Sequence, residues 1–176
     1  MSIMKTWPIW LAGTIALAAV FHILTVFGLP YGIMNRAMAG IASQAGGVNK
    51  PLYPERATAE SRGIVRPSPD LLYTACVYDV SVQPVKLSSP VPDTYWSLST
   101  FASNTDNFFV VNDREVKSNR IEIILAANEE AGSGQGIPVI VAPSSKGIVL
   151  FRSLVPSEDL REEIDAKRRE ANCEPL

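Results

Sequence analysis

The apolar residues of this chain fall into one long unbroken block followed by several short runs. The block extends from Trp10 to Leu29 (WLAGTIALAAVFHILTVFGL), twenty residues without an acidic or basic side chain. A helix of about that length spans roughly 30 Å, the thickness of a bilayer's hydrocarbon core. Trp7 and Tyr31 flank the block, at positions where aromatic side chains meet lipid head groups. The pattern predicts a transmembrane helix over about residues 10–29.

Two other interpretations of this block are open. A buried core helix of a soluble domain is one, although a perimeter that is apolar all round is more typical of a helix in lipid. A cleaved signal peptide is the other; its apolar region usually has about 7–15 residues, with a small-x-small cleavage site soon after. The nearest such triplet, Ala37-Met38-Ala39, lies well beyond Leu29. We therefore expect residues 1–36 to form an uncleaved membrane anchor.

Helical spacing continues after the block and then gives way to a polar segment. Ile33, Met34, Met38 and Ile41 recur on one helix face, which predicts a helix that continues or lies along the membrane surface. The glycines at 46 and 47 end the pattern, and the next residues are rich in Gly, Pro and polar side chains. We expect residues 37–62 to form a short helix and a linker that gives the following domain some reach from the bilayer.

The remaining residues, 63–176, predict one soluble β-rich domain. Six short runs are rich in β-branched and aromatic side chains and are divided by turn residues: 71–82, 94–102, 108–112, 121–126, 137–141 and 147–154. Ser157 begins a predicted C-terminal helix that extends to about Ala171, with Glu163–Lys167 and Asp165–Arg169 pairs on its wet face. The fold class is mainly β with flanking helices (α+β), an antiparallel sheet or sandwich after the N-terminal helix.

Charge argues against a nucleic-acid partner. After Arg36 the chain carries 14 basic and 18 acidic side chains, a formal charge of −4. Nucleic-acid binding depends on a basic surface that neutralises phosphates, and this domain repels them on average. Within the first 36 residues the cations are Lys5 and Arg36, one on each side of the block. This count weakly favours a cytoplasmic N-terminus.

The residue types available for chemistry argue against most hydrolases and metalloenzymes. The sole histidine, His22, lies within the apolar block, so the domain has no Ser-His or Cys-His pair and no imidazole for a metal site. We predict no catalytic residue, no metal and no cofactor. Aspartates such as Asp70 and Asp113 could act together only if they converge; turn capping is the commoner role. The glycine-rich residues 132–136 are predicted to form a flexible hairpin loop.

Cys76 and Cys173 are the two cysteines of the chain, and both fall in the predicted domain. A domain that faces an oxidising compartment would pair them, whereas a cytoplasmic domain would keep them reduced. Their spacing leaves both states open.

Several motifs resemble the domain of unknown function 1254 family. They are the run RPSPDLLYTACVYDVSVQPV from Arg66 to Val85, then Tyr95-Trp96-Ser97-Leu98, and then Asn112-Asp113-Arg114. The family's opening motif is closer to R-P-N-x-D-T-L-Y, so Ser68 and Leu71 depart from it. A site built on that Asn and Thr is therefore not carried over.

The resemblance also implies a cellular location, a disulfide and a companion protein. The Cys-Glu-Pro tail, Cys173 to Pro175, is similar to that of a short, membrane-anchored proteobacterial form. That form implies a single-pass inner-membrane protein whose domain faces the periplasm, with a Cys76–Cys173 disulfide. It also implies a companion protein of the domain of unknown function 1214 type.

Our functional hypothesis is a binding or structural module of the cell envelope that assembles with such a companion. Tyr95, Trp96 and Phe101 are candidate contact residues. The alternative is a subunit of an enzyme or ligand-binding site formed at the companion interface from Asp70, Tyr73 and Arg114. The full set of candidate binding residues is Arg66, Asp70, Tyr73, Trp96, Asp113 and Arg114.

Overall fold

The structure, a computed structural model, describes residues 3–63, 66–134 and 136–176. The chain begins with one long helix, α1 (Ile3–Ala45), and then forms two β-sheets with short helices. The strands are β1 (Pro51–Leu52), β2 (Leu71–Asp79), β3 (Val85–Pro90), β4 (Trp96–Ala102), β5 (Asn107–Asn112), β6 (Arg120–Ala126), β7 (Val139–Val141), β8 (Lys146–Leu154) and β9 (Asn172–Pro175). The short helices are α2 (Glu129–Gly132) and α3 (Arg161–Arg168), and a 3₁₀ turn (Glu158–Leu160) leads into α3.

The strands form a five-stranded sheet in the order β1-β2-β8-β4-β5 and a four-stranded sheet in the order β7-β6-β3-β9. The strand pairs are antiparallel except β6 and β7, which are parallel. Each of the six predicted runs coincides with a strand to within a few residues at its ends, so the α+β class is confirmed. The sequence prediction missed β1, β3 and β9, which are short or bounded by prolines and lack a run of apolar residues.

The predicted hairpin at residues 132–136 is wrong. A parallel neighbour needs a crossover connection of about a dozen residues, and residues 127–138 supply one that contains α2. Asn128 caps α2, because its side chain accepts a hydrogen bond from the backbone N–H of Ala131. Gln135, in the middle of the predicted loop, lies outside the described residues.

The main core lies between the two sheets. Alternate positions of the strands point inward, so Cys76, Tyr78, Trp96, Leu98 and Phe151 of the five-stranded sheet pack against the other sheet. Val85, Leu87, Ile123 and Leu125 face them from β3 and β6. A disulfide joins Cys76 on β2 to Cys173 on β9, and both cysteines are fully buried. It therefore ties the two sheets together across a 97-residue separation, which stabilises a fold by about 4–5 kcal/mol in the chain-entropy model.

Helix α1 is the described helix that is long and apolar enough to cross a membrane. The side chains of its apolar part have no cover from the rest of the protein: residues 6–29 are exposed, and Phe27 is 71% exposed. Mean hydropathy of the most apolar window is 2.1. Such a surface is unfavourable in water, since apolar side chains of that size each gain about 1.5–3 kcal/mol on burial.

The last turns of α1 are not free of the domain. Met34, Ala37 and Met38 are buried and pack with Ile41 and Ala42 against Val77, Ile148 and Phe101, on the outer face of the five-stranded sheet. These helix positions follow an i, i+3, i+4, i+7 stripe, as expected for one packed helix face. The positive φ of Gly46 (75°) then ends the helix and turns the chain back toward the sheet.

We expected the residues after the helix to form a linker that separates the domain from the bilayer. For the first half of residues 46–62 this expectation is wrong. Asn49 donates its backbone N–H to Val77 O (2.7 Å), and β1 pairs with Cys76 and Ala75 of β2. Tyr53 Oη donates to Ala171 O at 2.7 Å. The segment predicted as a linker is thus bonded along the edge of the sheet, and it leaves little freedom between helix and domain.

Arg168, at the end of α3, joins this segment to the domain through hydrogen bonds to Pro54 and Tyr73. Its side chain is 3% exposed, its Nη1 donates to Pro54 O (3.0 Å) and to the carbonyl of Tyr73, and its Nε donates to Asp165 Oδ1 (2.7 Å). Arg169 Nε donates to the other carboxylate oxygen, Asp165 Oδ2, at 2.8 Å, which confirms the predicted i,i+4 pair. The Glu163–Lys167 pair is also present (2.9 Å), although α3 ends at Arg168, short of the predicted Ala171.

Asp165 is the counter-charge that makes the burial of Arg168 tolerable. Partial burial opposes ionisation of this carboxyl, but hydrogen bonds from Arg169 and Arg168 outweigh it and hold the pKa of Asp165 below its ordinary 3.8. A carboxyl with a depressed pKa stabilises the folded state fully above the unfolded-state pKa. That contribution is lost as the pH falls through the lower folded-state pKa.

We predict that Asp165→Asn lowers the free energy of unfolding at pH 7 by about 3 kcal/mol, because it leaves a buried guanidinium without its counter-charge. Urea unfolding followed by circular dichroism measures this effect. Glu163→Gln on the same helix is the matched control; its exposed pair with Lys167 contributes at most about 0.5 kcal/mol. The loss in the Asp165 variant should shrink as the pH falls below 3.8 and through the lower pKa of the folded wild-type carboxyl, below which that group is protonated in both states. Equal losses in both variants would contradict this role for Asp165.

Candidate interaction surface

The outer face of the five-stranded sheet is partly covered by α1 and partly exposed. Side chains alternate along each strand, so the residues between the core positions of β2, β8 and β4 point away from the other sheet. The register places them in rows across the strands. One row is Val77, Ile148 and Phe101; the next is Ala75, Leu150, Ser99 and Val110; the third is Tyr73, Arg152, Ser97 and Asn112.

Helix α1 covers the first of these rows. Met34 and Met38 pack on Val77 and Ile148, which leaves both sheet residues buried. The polar third row lies four residues further along the strands than the first row, which is a distance of about 13 Å. The outer face is therefore apolar where the helix docks and becomes polar away from it.

We call the surface formed by Tyr73, Tyr95, Ser97, Ser99, Val110 and Arg152 the open face. Arg152 lies on β8, the middle strand, and its Nη1 donates to Ser99 Oγ at 2.9 Å. Tyr95 Oη donates to Ser97 Oγ at 3.1 Å. Both serines are buried, at 2% and 3% exposure for Ser97 and Ser99. The guanidinium and the Tyr95 ring therefore form an upper layer that lies over a floor of serine hydroxyls.

Two side chains of the open face, one aromatic and one aliphatic, are largely uncovered. Tyr95 is 46% exposed and Val110 is 56% exposed, whereas most apolar residues of the domain are buried. Val110 belongs to β5, which is an edge strand of the five-stranded sheet and has no charged residue in its sequence NFFVVN. Edge strands of this composition readily pair with other chains unless a charge or another element protects them.

The predicted binding residues have separate surroundings. Tyr73 belongs to the open face, and its Oη accepts a hydrogen bond from Ser68 N at 2.8 Å. Trp96 is 1% exposed and packs near Phe151 in the core, so its prediction as a contact residue is wrong. Arg66 and Arg114 are exposed, on the segment before β2 and the turn after β5.

The two aspartates of the predicted set lie at the ends of strands. Asp113 Oδ1 accepts the backbone N–H of Trp96 (3.2 Å), and Asp113 N donates to Trp96 O (3.0 Å), so this residue closes the β4–β5 pair. The carbonyl of Asp70 accepts the N–H of Val155 and thereby extends the β2–β8 ladder by one bond. The side-chain contact of Asp113 fits the capping role that Asp residues often have at strand ends, whereas Asp70 makes its contact through the backbone.

The structure does not bring Asp70, Tyr73 and Arg114 into one site. Asp70 precedes β2 and Arg114 follows β5, and the strands β8 and β4 lie between them. Three interstrand steps of about 4.8 Å separate the two positions by roughly 14 Å. The alternative of an enzyme site built on these three side chains has no geometric support.

The large cleft of the domain lies elsewhere, between residues 55–58 and α3, with a volume of about 980 Å³. Its walls carry Arg56, Arg161, Arg168 and Arg169, and each of these is ion-paired within the cleft, to Glu158 or to Asp165. The cations of the cleft are thus all paired, whereas Glu55, Asp159 and Glu162 on its walls make no ion pair among the described residues. We interpret this region as a structural contact that holds residues 53–58 to the domain.

Within the described ranges, no group of three or more His, Cys, Asp or Glu side chains is placed to hold a metal ion. The open face likewise contains hydroxyls and one guanidinium but no base next to a nucleophile, which is the arrangement that covalent catalysis requires. The side chains of this surface offer hydrogen bonds, one positive charge and apolar contact.

Fold and surface together define a β-sandwich domain joined directly to one long apolar helix, with a sheet face that the helix covers in part. The family model for a protein of unknown function, DUF1254, matches residues 48–175, so the chain belongs to this family. The match begins just before β1 and ends at Pro175, the last residue of β9, and it therefore includes both sheets.

Two solved structures have a similar fold. The VPA0106 protein from Vibrio parahaemolyticus matches with a TM-score of 0.62 and 17% identity, over 84% of this chain and 36% of that chain. An uncharacterized protein from Burkholderia cenocepacia matches with a TM-score of 0.51 and 17% identity, over 66% of this chain and 34% of that one. The chain thus spans about a third of the length of these solved chains. No curated protein matches the sequence.

Proposed function

We propose that this protein is a single-pass inner-membrane protein whose domain faces the periplasm and assembles with a companion polypeptide. One observation supports this proposal above all. Helix α1 packs on one part of the outer face of the five-stranded sheet, and the rest of that face, the open face, is not covered by the helix. The protein then acts as a binding or structural module that is held close to the bilayer.

Anchoring by α1 accounts for its exposed apolar surface. Residues 6–29 face away from the rest of the protein, and lipid is the solvent in which such a surface is stable. The first buried helix residue, Met34, is five positions after Leu29. At 1.5 Å per residue, this places the domain about 7–8 Å beyond the hydrocarbon core. The domain is therefore expected to rest at the level of the lipid head groups.

The disulfide supports an outward orientation of the domain. Disulfides form and persist in the periplasm and other oxidising compartments and are rare in the cytoplasm. The Cys76–Cys173 bond links the two sheets within the main core, so the stability of the fold depends on it. A periplasmic domain also agrees with Lys5 on the cytoplasmic side of the apolar block.

The lengths of the similar structures support a companion. In both solved chains, the region that matches this fold is about a third of the polypeptide. The fold thus lies beside other regions in these solved chains, and a second protein can also supply such a neighbouring region. Following the family resemblance, we propose that this companion is of the domain of unknown function 1214 type.

A labelling experiment tests the anchor and the orientation together. We expect the full-length protein to stay in the membrane pellet after alkaline carbonate washing. After denaturation without reductant, both cysteines should resist a maleimide reagent, because the periplasm has oxidised them. The matched control replaces Ala16 and Ala19 with lysine, which costs about 2.5–3.5 kcal/mol per residue at mid-membrane and should release the protein from the pellet. Two reactive thiols, or a wild-type protein in the wash, would contradict the proposal.

Purification from detergent-solubilised membranes tests the companion. We expect the intact protein to elute as a complex with a second polypeptide in a fixed ratio, and size-exclusion chromatography with light scattering measures its mass. Wild-type protein that elutes as a monodisperse monomer from native membranes would contradict assembly.

A further inference from the structure

We infer that the open face binds a partner protein that presents a carboxylate to Arg152, next to an apolar side chain that packs against Tyr95 and Val110. This inference rests on the proposed function, since it requires that the module has a protein partner. It adds the surface that the partner contacts and the chemical groups that the partner must supply.

Arg152 differs from the other arginines that are not exposed. Among the described arginines, Arg56 and Arg152 are partly buried and Arg168 is buried, whereas the others are exposed. Arg56 pairs with Glu158 and Arg168 pairs with Asp165. Arg152 pairs with no carboxylate of the described residues, and its hydrogen bond goes to the neutral hydroxyl of Ser99. A guanidinium has five N–H donors, so most of its donors are available to another molecule.

Arg152 is the one cation of the open face, and the carboxylates at the Asn112 end of its row have other partners: Asp113 accepts the backbone N–H of Trp96, and Glu115 accepts that of Asn112. Its cross-strand neighbours, Tyr73 and Ser97, are neutral. The ion pair at the other end of the face, Lys146 with Asp79, is six residues away along β8, which is about 20 Å. A carboxylate that approaches Arg152 therefore meets a cation and hydroxyls, although the chain as a whole has a formal charge of −2.

A protein carboxylate fits this surface better than a lipid phosphate does. Sites for anionic head groups usually cluster several Lys and Arg, whereas the open face has one cation. Its border consists of Tyr95 and Val110, and a half-exposed aromatic ring beside an arginine is typical of the energetically dominant centre of a protein interface. Arg also matches a carboxylate with two parallel hydrogen bonds, which fixes the orientation of the partner.

A photo-crosslinking experiment in intact cells tests the inference. The full-length protein carries p-benzoyl-phenylalanine in place of Val110, and the yield of the covalent adduct with another protein is measured after irradiation. We expect Arg152→Gln to lower this yield at least about tenfold, which corresponds to about 1.4 kcal/mol. Arg152→Lys should give an intermediate yield, because an ammonium keeps the charge but cannot bond both carboxylate oxygens in the same geometry.

Lys117→Gln is the matched control. Lys117 is exposed on the segment that follows β5, and its side chain has no ion pair among the described residues, so its replacement removes the same charge near the same edge strand. We expect the adduct yield to stay unchanged. Each variant must keep the Cys76–Cys173 disulfide and its level in the membrane. Ser99→Ala is a second probe; it keeps the charge of Arg152 but frees its Nη1, so a smaller loss of yield is expected.

The position of the carboxylate on the partner gives a decisive test. Mass spectrometry of the adduct identifies the partner segment, and exchanging its acidic residue for arginine should restore the yield of an Arg152→Glu variant. Adducts with lipid alone, adducts with a second copy of this chain, or a yield that Arg152→Gln does not change would overturn the inference.

A photoreactive residue at Val82, which is 91% exposed on another surface, separates this inference from the proposed function. Partner adducts from Val82 that are independent of Arg152, with none from position 110, would overturn the inference and leave the module with a partner. Adducts from neither position, together with a monomeric protein in detergent, would overturn both.

Discussion

The structure depends on the packing of the last turns of α1 against the five-stranded sheet. Met34 and Met38 bury Val77 and Ile148, which would otherwise be apolar residues on an exposed sheet face. Because the same helix continues through Pro30 into its apolar half, the contact constrains the position of the domain relative to that half. It also divides the outer face into a covered apolar part and the open face. The proposed position at the membrane and the proposed partner surface both follow from this one contact.

Most of the fold could be predicted because the local sequence of most strands is typical of β-structure. Runs such as Leu71–Asp79 and Lys146–Leu154 combine β-branched and aromatic residues with flanking turn residues. β3 was missed because its core positions, Val85 and Leu87, are bordered by serines and prolines, so its burial depends on tertiary neighbours. The parallel β6–β7 pair was missed for a related reason: a glycine-rich connection has the same composition whether it closes a hairpin or a crossover.

The interaction surface was harder to predict than the fold. Tyr73 was identified through a family motif, but Trp96 was placed on the surface although the period of its strand puts it in the core. Arg152 was missed entirely. A signal existed in KGIVLFRSL, where an arginine interrupts an apolar strand at an outward position, yet the importance of that charge depends on its neighbours. Only the register shows that no carboxylate of the described residues pairs with it.

The most direct test of the account measures whether helix and domain move as one body. Spin labels are attached at Arg36, on the exposed side of α1, and at Val82, on the domain, in protein reconstituted into lipid nanodiscs; both native cysteines are held in their disulfide. Pulsed electron–electron resonance then reports the distribution of distances between the labels. Packing of Met34 and Met38 on the sheet predicts a single narrow distribution that broadens when both methionines are replaced by serine. A broad distribution in the wild-type protein would contradict the docked arrangement.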